Sequence, residues 1–119
     1  GGKTYFLLTL IEALLHTNAV LYILDPKNAD LADLGTVMPN VFHTKEEMID
    51  CVNAFYEGMV TRSEEMKLHP NYRTGENYAY LGLAPQFLIF DEYVAFLEML
   101  TTKESTALLS QLKKIVMLG

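Results

Sequence analysis

Cysteine is nearly absent: Cys51 stands alone among 119 residues, so neither a disulfide framework nor a cysteine-built zinc site can form within one chain. Basic residues are also scarce, with 9 Lys and Arg against 15 Asp and Glu and a formal net charge of −6. That balance excludes the broad basic surface used in non-specific nucleic-acid binding, so any contact with DNA must be local. No apolar run approaches the roughly 18 residues a membrane span needs, and no secretory signal pattern opens the chain. A soluble, cytoplasmic chain in a reducing compartment is expected, attached to a membrane only through segments outside it. Internal repeats and low-complexity stretches are missing, as is any hairpin dipeptide such as Asn-Gly between strand candidates. What remains is a 50% hydrophobic sequence, rich enough for a layered core and of a length that suits one domain. It reads as a piece of a larger unit rather than a self-contained one.

The chain begins Gly1-Gly2-Lys3-Thr4 and runs straight into an apolar stretch. This is the back half of a phosphate-binding loop of the form G-x-x-x-x-G-K-[ST], in which backbone N–H groups cradle phosphates, the lysine neutralises them and the hydroxyl ligates Mg²⁺. Four residues recur by chance, so a second feature must decide. It is Phe87-Leu88-Ile89-Phe90-Asp91-Glu92, an unbroken apolar run closing on two carboxylates. Parallel strands covered on both faces read this way, and their carboxyl ends are where open α/β sheets hold ligands. In P-loop phosphoryl transfer the metal is held by the loop hydroxyl and by an acid from such a strand. Asp91 is the candidate metal ligand with Thr4, and Glu92 the candidate general base for the attacking water. The plain alternative is a buried strand whose acids open the next helix, where negative charge is favoured.

Between these ends the pattern is helix, strand, strand, helix, strand, helix. Residues 4–16 carry Leu7, Leu10, Ile11, Leu14 and Leu15 at helical spacing, with Phe6 and Leu8 filling much of the other side; a helix apolar nearly all round is expected to be buried. His16, four residues after Glu12, suits the negative end of that helix and carries no chemistry. Val20-Leu21-Tyr22-Ile23-Leu24 reads as a buried strand ending at Asp25-Pro26-Lys27, a rigid turn, since proline fixes its own φ and disfavours helical geometry at the residue before it. Lys27 serves either that turn or a subunit boundary. Val41-Phe42-His43 is a short strand, and Thr44 with Glu47 forms a capping box opening a long helix. Along it Met48, Val52, Phe55, Met59 and Met66 make a core stripe on which Arg62 also falls. Arg62 must then snorkel or meet a carboxylate or phosphate. His43 and Cys51 lack spaced metal partners and are structural.

Residues 68–85 form a long connection holding Tyr72, Arg73, Tyr78 and Tyr80. Aromatics interleaved with an arginine can stack bases, and tyrosines can equally pin an Ω-type loop to its own domain. After the acidic pair a short helix runs over residues 93–100. Thr101 with Glu104 makes a second capping box, and Leu108, Leu109, Leu112, Ile115 and Val116 give the apolar face of a last helix. This order predicts a largely parallel sheet flanked by helices.

With these segments placed, the chain resembles the FtsK/SpoIIIE family of hexameric DNA translocases, most closely the branch carried on Gram-positive conjugative elements. The resemblance runs along residues 1–119: Gly2-Lys3-Thr4 at the Walker A end, Ile23-Leu24-Asp25-Pro26-Lys27 as the second strand with its D-P-K turn, Met38-Pro39-Asn40-Val41 before the next strand, Met59 and Arg62 as the Met-x-x-Arg pair, and Phe87 to Glu92 as the Walker B strand. It implies a RecA-like P-loop NTPase core, here one partial motor domain truncated at both ends. ATP would be bound by Gly1, Gly2, Lys3 and Thr4, Mg²⁺ held by Thr4 and Asp91, and water activated by Glu92. The implied activity is ATP-driven translocation of double-stranded DNA by a homo-oligomeric, hexameric ring, as in cell division, chromosome segregation or conjugation. Related proteins move single-stranded DNA or protein instead, and a non-hydrolysing nucleotide-binding or scaffold module is the non-enzymatic alternative. Two departures stand out: Gly58 precedes Met59 where the family usually has Glu, and Tyr93-Val94 follows the acidic pair where a small apolar and acidic run is commoner. With the front of the loop, the sensor strand and any arginine finger outside it, this stretch alone is expected to be inactive.

Overall fold

The computed structural model describes residues 2–28, 40–68 and 84–118. The elements, in chain order, are α1 (Gly2–Leu15), β1 (Val20–Leu24), β2 (Val41–Phe42), α2 (Lys45–Leu68), β3 (Gln86–Phe90), α3 (Tyr93–Glu98) and α4 (Thr102–Leu118). The strands form one parallel sheet in the order β2-β1-β3. Parallel strands cannot be joined by a tight hairpin and need a longer connection; α2 lies in the one that carries the chain from β2 past β1 to β3.

Two-residue alternation sorts the strand side chains onto two faces. Leu21, Ile23 and Ile89 meet Leu7, Ile11 and Leu14 of α1 on one side. Tyr22, Leu24, Leu88 and Phe90 meet Met48, Cys51 and Val52 of α2, Phe96 of α3 and Leu108 of α4 on the other. The result is an α/β/α sandwich with a thin core on the α1 side and a larger one on the other. Both faces of β1 are therefore covered, which is why it is apolar without interruption. Aromatic edges tie the larger core together: Tyr22 meets Phe55 at 5.7 Å and Phe90 meets Tyr93 at 5.1 Å, both close to perpendicular. That geometry suits the ring quadrupoles.

The helix ends follow their side-chain chemistry. Glu47 N–H donates to Thr44 Oγ1 at 3.2 Å, and the Thr44 hydroxyl donates to Glu47 Oε1 at 2.8 Å. At α4 the box is fully reciprocal: Glu104 N–H reaches Thr101 Oγ1 at 3.1 Å, and Thr101 N–H reaches Glu104 Oε1 at 2.8 Å. Lys45 Nζ joins the two starts by pairing with Glu104 Oε1 at 2.7 Å. Cys51 is buried and burial pushes its thiol up to about 11, which keeps it protonated and supports a structural role.

Two expectations need correction. The first helix is not buried all round: Ile11 is enclosed, whereas Phe6, Leu8, Leu10 and Leu15 are exposed, because the sheet covers only one arc of α1. Leu109 and Val116 likewise lie exposed on α4, outside the arc that Leu108 and Leu112 turn to the core. Arg62 Nη2 donates to Ala84 O at 2.7 Å, a backbone contact that no motif marks. This bond ties α2 to the residue before Pro85, at the amino end of β3. The connection carrying Tyr72, Arg73, Tyr78 and Tyr80, and the Met38-Pro39 step, lie outside the described residues.

Candidate functional site at the carboxyl edge of the sheet

The order β2-β1-β3 sends the chain from β1 outward to β2 and then back past β1 to β3. The carboxyl ends of β1 and β3 thus lie side by side at a point where the winding reverses. In open α/β sheets this is where a crevice for ligands forms. The register pairs Leu24 with Phe90, so Asp25 and Asp91 are the next residues out on neighbouring strands. Both stay within the ladder: Asp25 N–H donates to Phe42 O at 2.8 Å and Asp91 N–H to Leu24 O at 2.9 Å. Both are buried, Asp25 with 0% and Asp91 with 6% of its surface exposed.

Glu92 follows in a left-handed conformation, φ 64° and ψ 64°, at the N-cap of α3. A non-glycine residue there costs about 1–2 kcal/mol. The left-handed step turns the chain sharply from strand into helix and holds Glu92 half-buried beside the strand end. Its carbonyl accepts from Phe96 N–H at 3.2 Å, yet its side chain makes no capping hydrogen bond. Glu92 is thus not present as a side-chain cap, the simplest non-catalytic use of an acid at that position.

The other half of the candidate site is delivered by α1. Residues 16–19 make a tight connection, with His16 N–H bonded to Ala13 O and Thr17 N–H to Leu14 O, so the chain reverses and α1 runs antiparallel to β1. At about 1.5 Å per helical residue against about 3.3 Å per strand residue, fourteen helical and five strand residues span similar lengths. Gly2, Lys3 and Thr4, which open α1, therefore return to the carboxyl edge. Gly1 and the side chains of residues 2–5 lie outside the described part of the structure.

The oxygen donors suit a hard divalent cation that keeps much of its water shell and takes only one or two carboxylates. Asp25-Pro26-Lys27 is the expected turn, closed by Asn28 N–H on Asp25 O at 3.0 Å with Asn28 at φ 48°; asparagine tolerates that region. The sequence reading gave Asp25 no further part, although an acid ending an apolar strand is the same signal that drew attention to Asp91. An apolar cavity of about 330 Å³ lies elsewhere, between Phe55, Met59 and Ile115 at the amino end of β3. It lies at the opposite edge from the acidic pair and belongs to the packing of α2 and α4 on the sheet.

No protein-family model matches the chain, and no solved structure matches it. Over 120 aligned residues and 100% of its length, it is 54% identical to the FtsK domain-containing protein YdcQ of Bacillus subtilis (strain 168). The chain spans only about a quarter of that relative's length, 25%. Within that span the similarity supports an FtsK-like family for this α/β chain.

Proposed function

We propose that this chain is the stretch of an FtsK/SpoIIIE-type RecA-like motor domain that runs from the end of its phosphate-binding loop past its Walker B strand. The full-length protein is then an ATPase that drives double-stranded DNA through a homohexameric ring. The observation that carries this reading is the packing of α1 back along β1 and β3 through Leu7, Ile11 and Leu14. It supports a site in which the start of α1, with Gly2-Lys3-Thr4, faces the sheet edge where β3 ends in Asp91-Glu92. The identity to an FtsK domain-containing protein along the whole chain supports the same reading.

In this reading Lys3 supplies a point charge to the β/γ-phosphates, and the N–H groups that open α1 favour the same anion. Thr4 and Asp91 hold Mg²⁺, which when bound neutralises charge on the transferring phosphoryl group. Glu92, held beside the strand end by its left-handed backbone, aligns the attacking water and takes its proton. The acidic balance of the chain, −6, restricts DNA contact to local groups, so duplex is gripped by parts of the full-length protein outside the described residues.

The test is ATP hydrolysis by the full-length protein with and without duplex DNA, alongside Lys3→Ala. Hydrolysis stimulated by duplex and abolished with nucleotide binding in Lys3→Ala is the expected result. Unchanged ATP affinity in that variant would remove the Walker A assignment. Stimulation by single-stranded DNA alone would keep the ATPase and change its cargo.

A further inference from the structure

We infer that Tyr93 is a positioning residue for Glu92: its ring braces the left-handed step that sets the candidate base at the sheet edge, and the inference rests on the reading of Glu92 given above. Phe90 ends β3 and Tyr93 opens α3, so the two rings stand on either side of the Asp91-Glu92 step. They meet edge to face, with centroids 5.1 Å apart and planes at 84°. Phe90 is itself fixed twice, by its register against Leu24 and by a tilted contact at 5.6 Å with Phe96, which is fully buried. Tyr93 therefore leans on a ring that the sheet and the larger core hold still.

The brace matters because the backbone at Glu92 is strained. At φ 64° and ψ 64° an L-residue brings its Cβ close to the following carbonyl oxygen, and such a conformation persists only where the surrounding structure imposes it. The bond from Asp91 N–H to Leu24 O sets the chain before the step, and Phe96 N–H on Glu92 O closes the first turn of α3 after it. The Phe90–Tyr93 pair spans the step itself. An edge-to-face pair contributes about as much as one left-handed residue costs, so its loss lets the backbone relax and carries the Glu92 carboxylate out of line with its water. The contact is between rings, so the ring is required and the hydroxyl is not. Tyr93 keeps 38% of its surface exposed and is a minor part of the core; its loss misplaces Glu92 without unfolding the chain.

The experiment uses the full-length protein and compares wild type, Tyr93→Phe, Tyr93→Leu, Glu92→Gln and the double variant Tyr93→Leu with Glu92→Gln. Affinity for a non-hydrolysable ATP analogue with Mg²⁺, single-turnover ATP hydrolysis with duplex DNA, and thermal melts are read for each. Leucine keeps helix propensity and apolar bulk while losing the ring. Tyr93→Leu should bind the analogue with near wild-type affinity and hydrolyse ATP roughly threefold to tenfold more slowly, the factor to which loss of an aromatic pair corresponds. Tyr93→Phe should recover most of the wild-type rate. In the Glu92→Gln background the same leucine substitution should cost no further rate, because the group it positions is already gone. A normal rate or weakened analogue binding in Tyr93→Leu, an equal loss with and without the Glu92 carboxylate, a Tyr93→Phe as slow as Tyr93→Leu, or failure of Tyr93→Leu to fold would each overturn the proposal. Near-normal hydrolysis by Glu92→Gln would instead remove the reading of Glu92 as the base, and this inference with it.

Discussion

The N–H of Asp91 donates to the carbonyl of Leu24 at 2.9 Å, so the acid that ends one strand is aligned by the strand beside it. The bond extends the parallel ladder one step past the Leu24–Phe90 pair and sets Asp91 next to Asp25. Chain reversal then occurs at the next residue, where Glu92 takes φ 64°. The position of the acidic pair is thus set by the sheet and by a strained backbone step, and the helix that follows adds packing through Phe96, which is fully buried and stacks obliquely on Phe90 at 5.6 Å. A candidate general base is of use only if it is positioned, and these contacts fix the backbone at Glu92.

Strain at Glu92 leads to a stability prediction opposite in sign to its effect on activity. Glycine adopts φ near +60° without steric penalty, so Glu92→Gly should stabilise the fold by about 1 kcal/mol, less whatever its carboxylate contributes, while removing the candidate base. Denaturant melts read the first effect and single-turnover hydrolysis the second. A destabilised Glu92→Gly would mean that the carboxylate holds the turn, and the catalytic role would lose its structural argument.

Gly58 lies inside α2, where a Cβ would meet nothing within 4 Å. Glycine in a helix interior costs about 0.5–1 kcal/mol relative to alanine, so Gly58→Ala should raise stability by that amount with no change in nucleotide affinity. Gly58→Glu should also be accommodated, since the Cβ position opens on empty space. A loss of stability in Gly58→Ala, measured by urea unfolding, would show that the glycine permits a close approach absent from the described contacts.

The pairing of Lys45 with Glu104 predicts a pH dependence. The hydrogen bond from Lys45, followed by that from Thr101 N–H, holds the Glu104 carboxyl below the usual glutamate range. A lowered folded-state value stabilises the protein above the unfolded-state value, and that contribution is lost as pH falls through the folded one. Glu104→Gln should therefore be less stable than wild type at neutral pH, with the gap closing under acid, and added salt should shrink it because the pair is partly exposed. Thr101→Ala should cost about 1 kcal/mol as a lost cap. A Glu104→Gln deficit that stays constant with pH would mean the charge contributes nothing there.

Strands and helix starts were legible because their causes are local. Coverage of both sheet faces leaves β1 and β3 apolar, and the Thr44 and Thr101 boxes announce the starts of α2 and α4. Features decided by distant neighbours were not. Which arc of α1 the sheet covers cannot be read from a helix apolar on all sides, so the exposure of Phe6 and Leu10 went unanticipated. Arg62 donates to the carbonyl of Ala84, a group every residue carries and no motif marks. Asp25 is legible as a turn residue, but Asp-Pro forms such a turn whether the carboxylate faces water or the interior. Its burial at 0% exposure depends on what packs around the end of the central strand β1, and that packing is tertiary.

The two acids after β3 should separate by function despite being adjacent. Asp91, buried at 6% exposure, is the candidate cation ligand, and Asp91→Asn should weaken binding of the Mg²⁺-nucleotide complex itself. Glu92→Gln keeps size and hydrogen-bonding capacity while removing basicity, so nucleotide should bind with near wild-type affinity. Hydrolysis should fall by about 10²–10⁴, the usual cost of losing a positioned general base. Glutamine has the same backbone cost as glutamate at the φ 64° step, so the comparison isolates chemistry from folding. The measurement is nucleotide affinity and single-turnover hydrolysis for both variants in the full-length protein with duplex DNA present. Glu92→Gln should accumulate bound ATP, whereas Asp91→Asn should fail to load it. Near-normal turnover by Glu92→Gln would leave Glu92 as a residue that turns the chain into α3 and nothing more, and the base would have to be sought among groups outside the described residues.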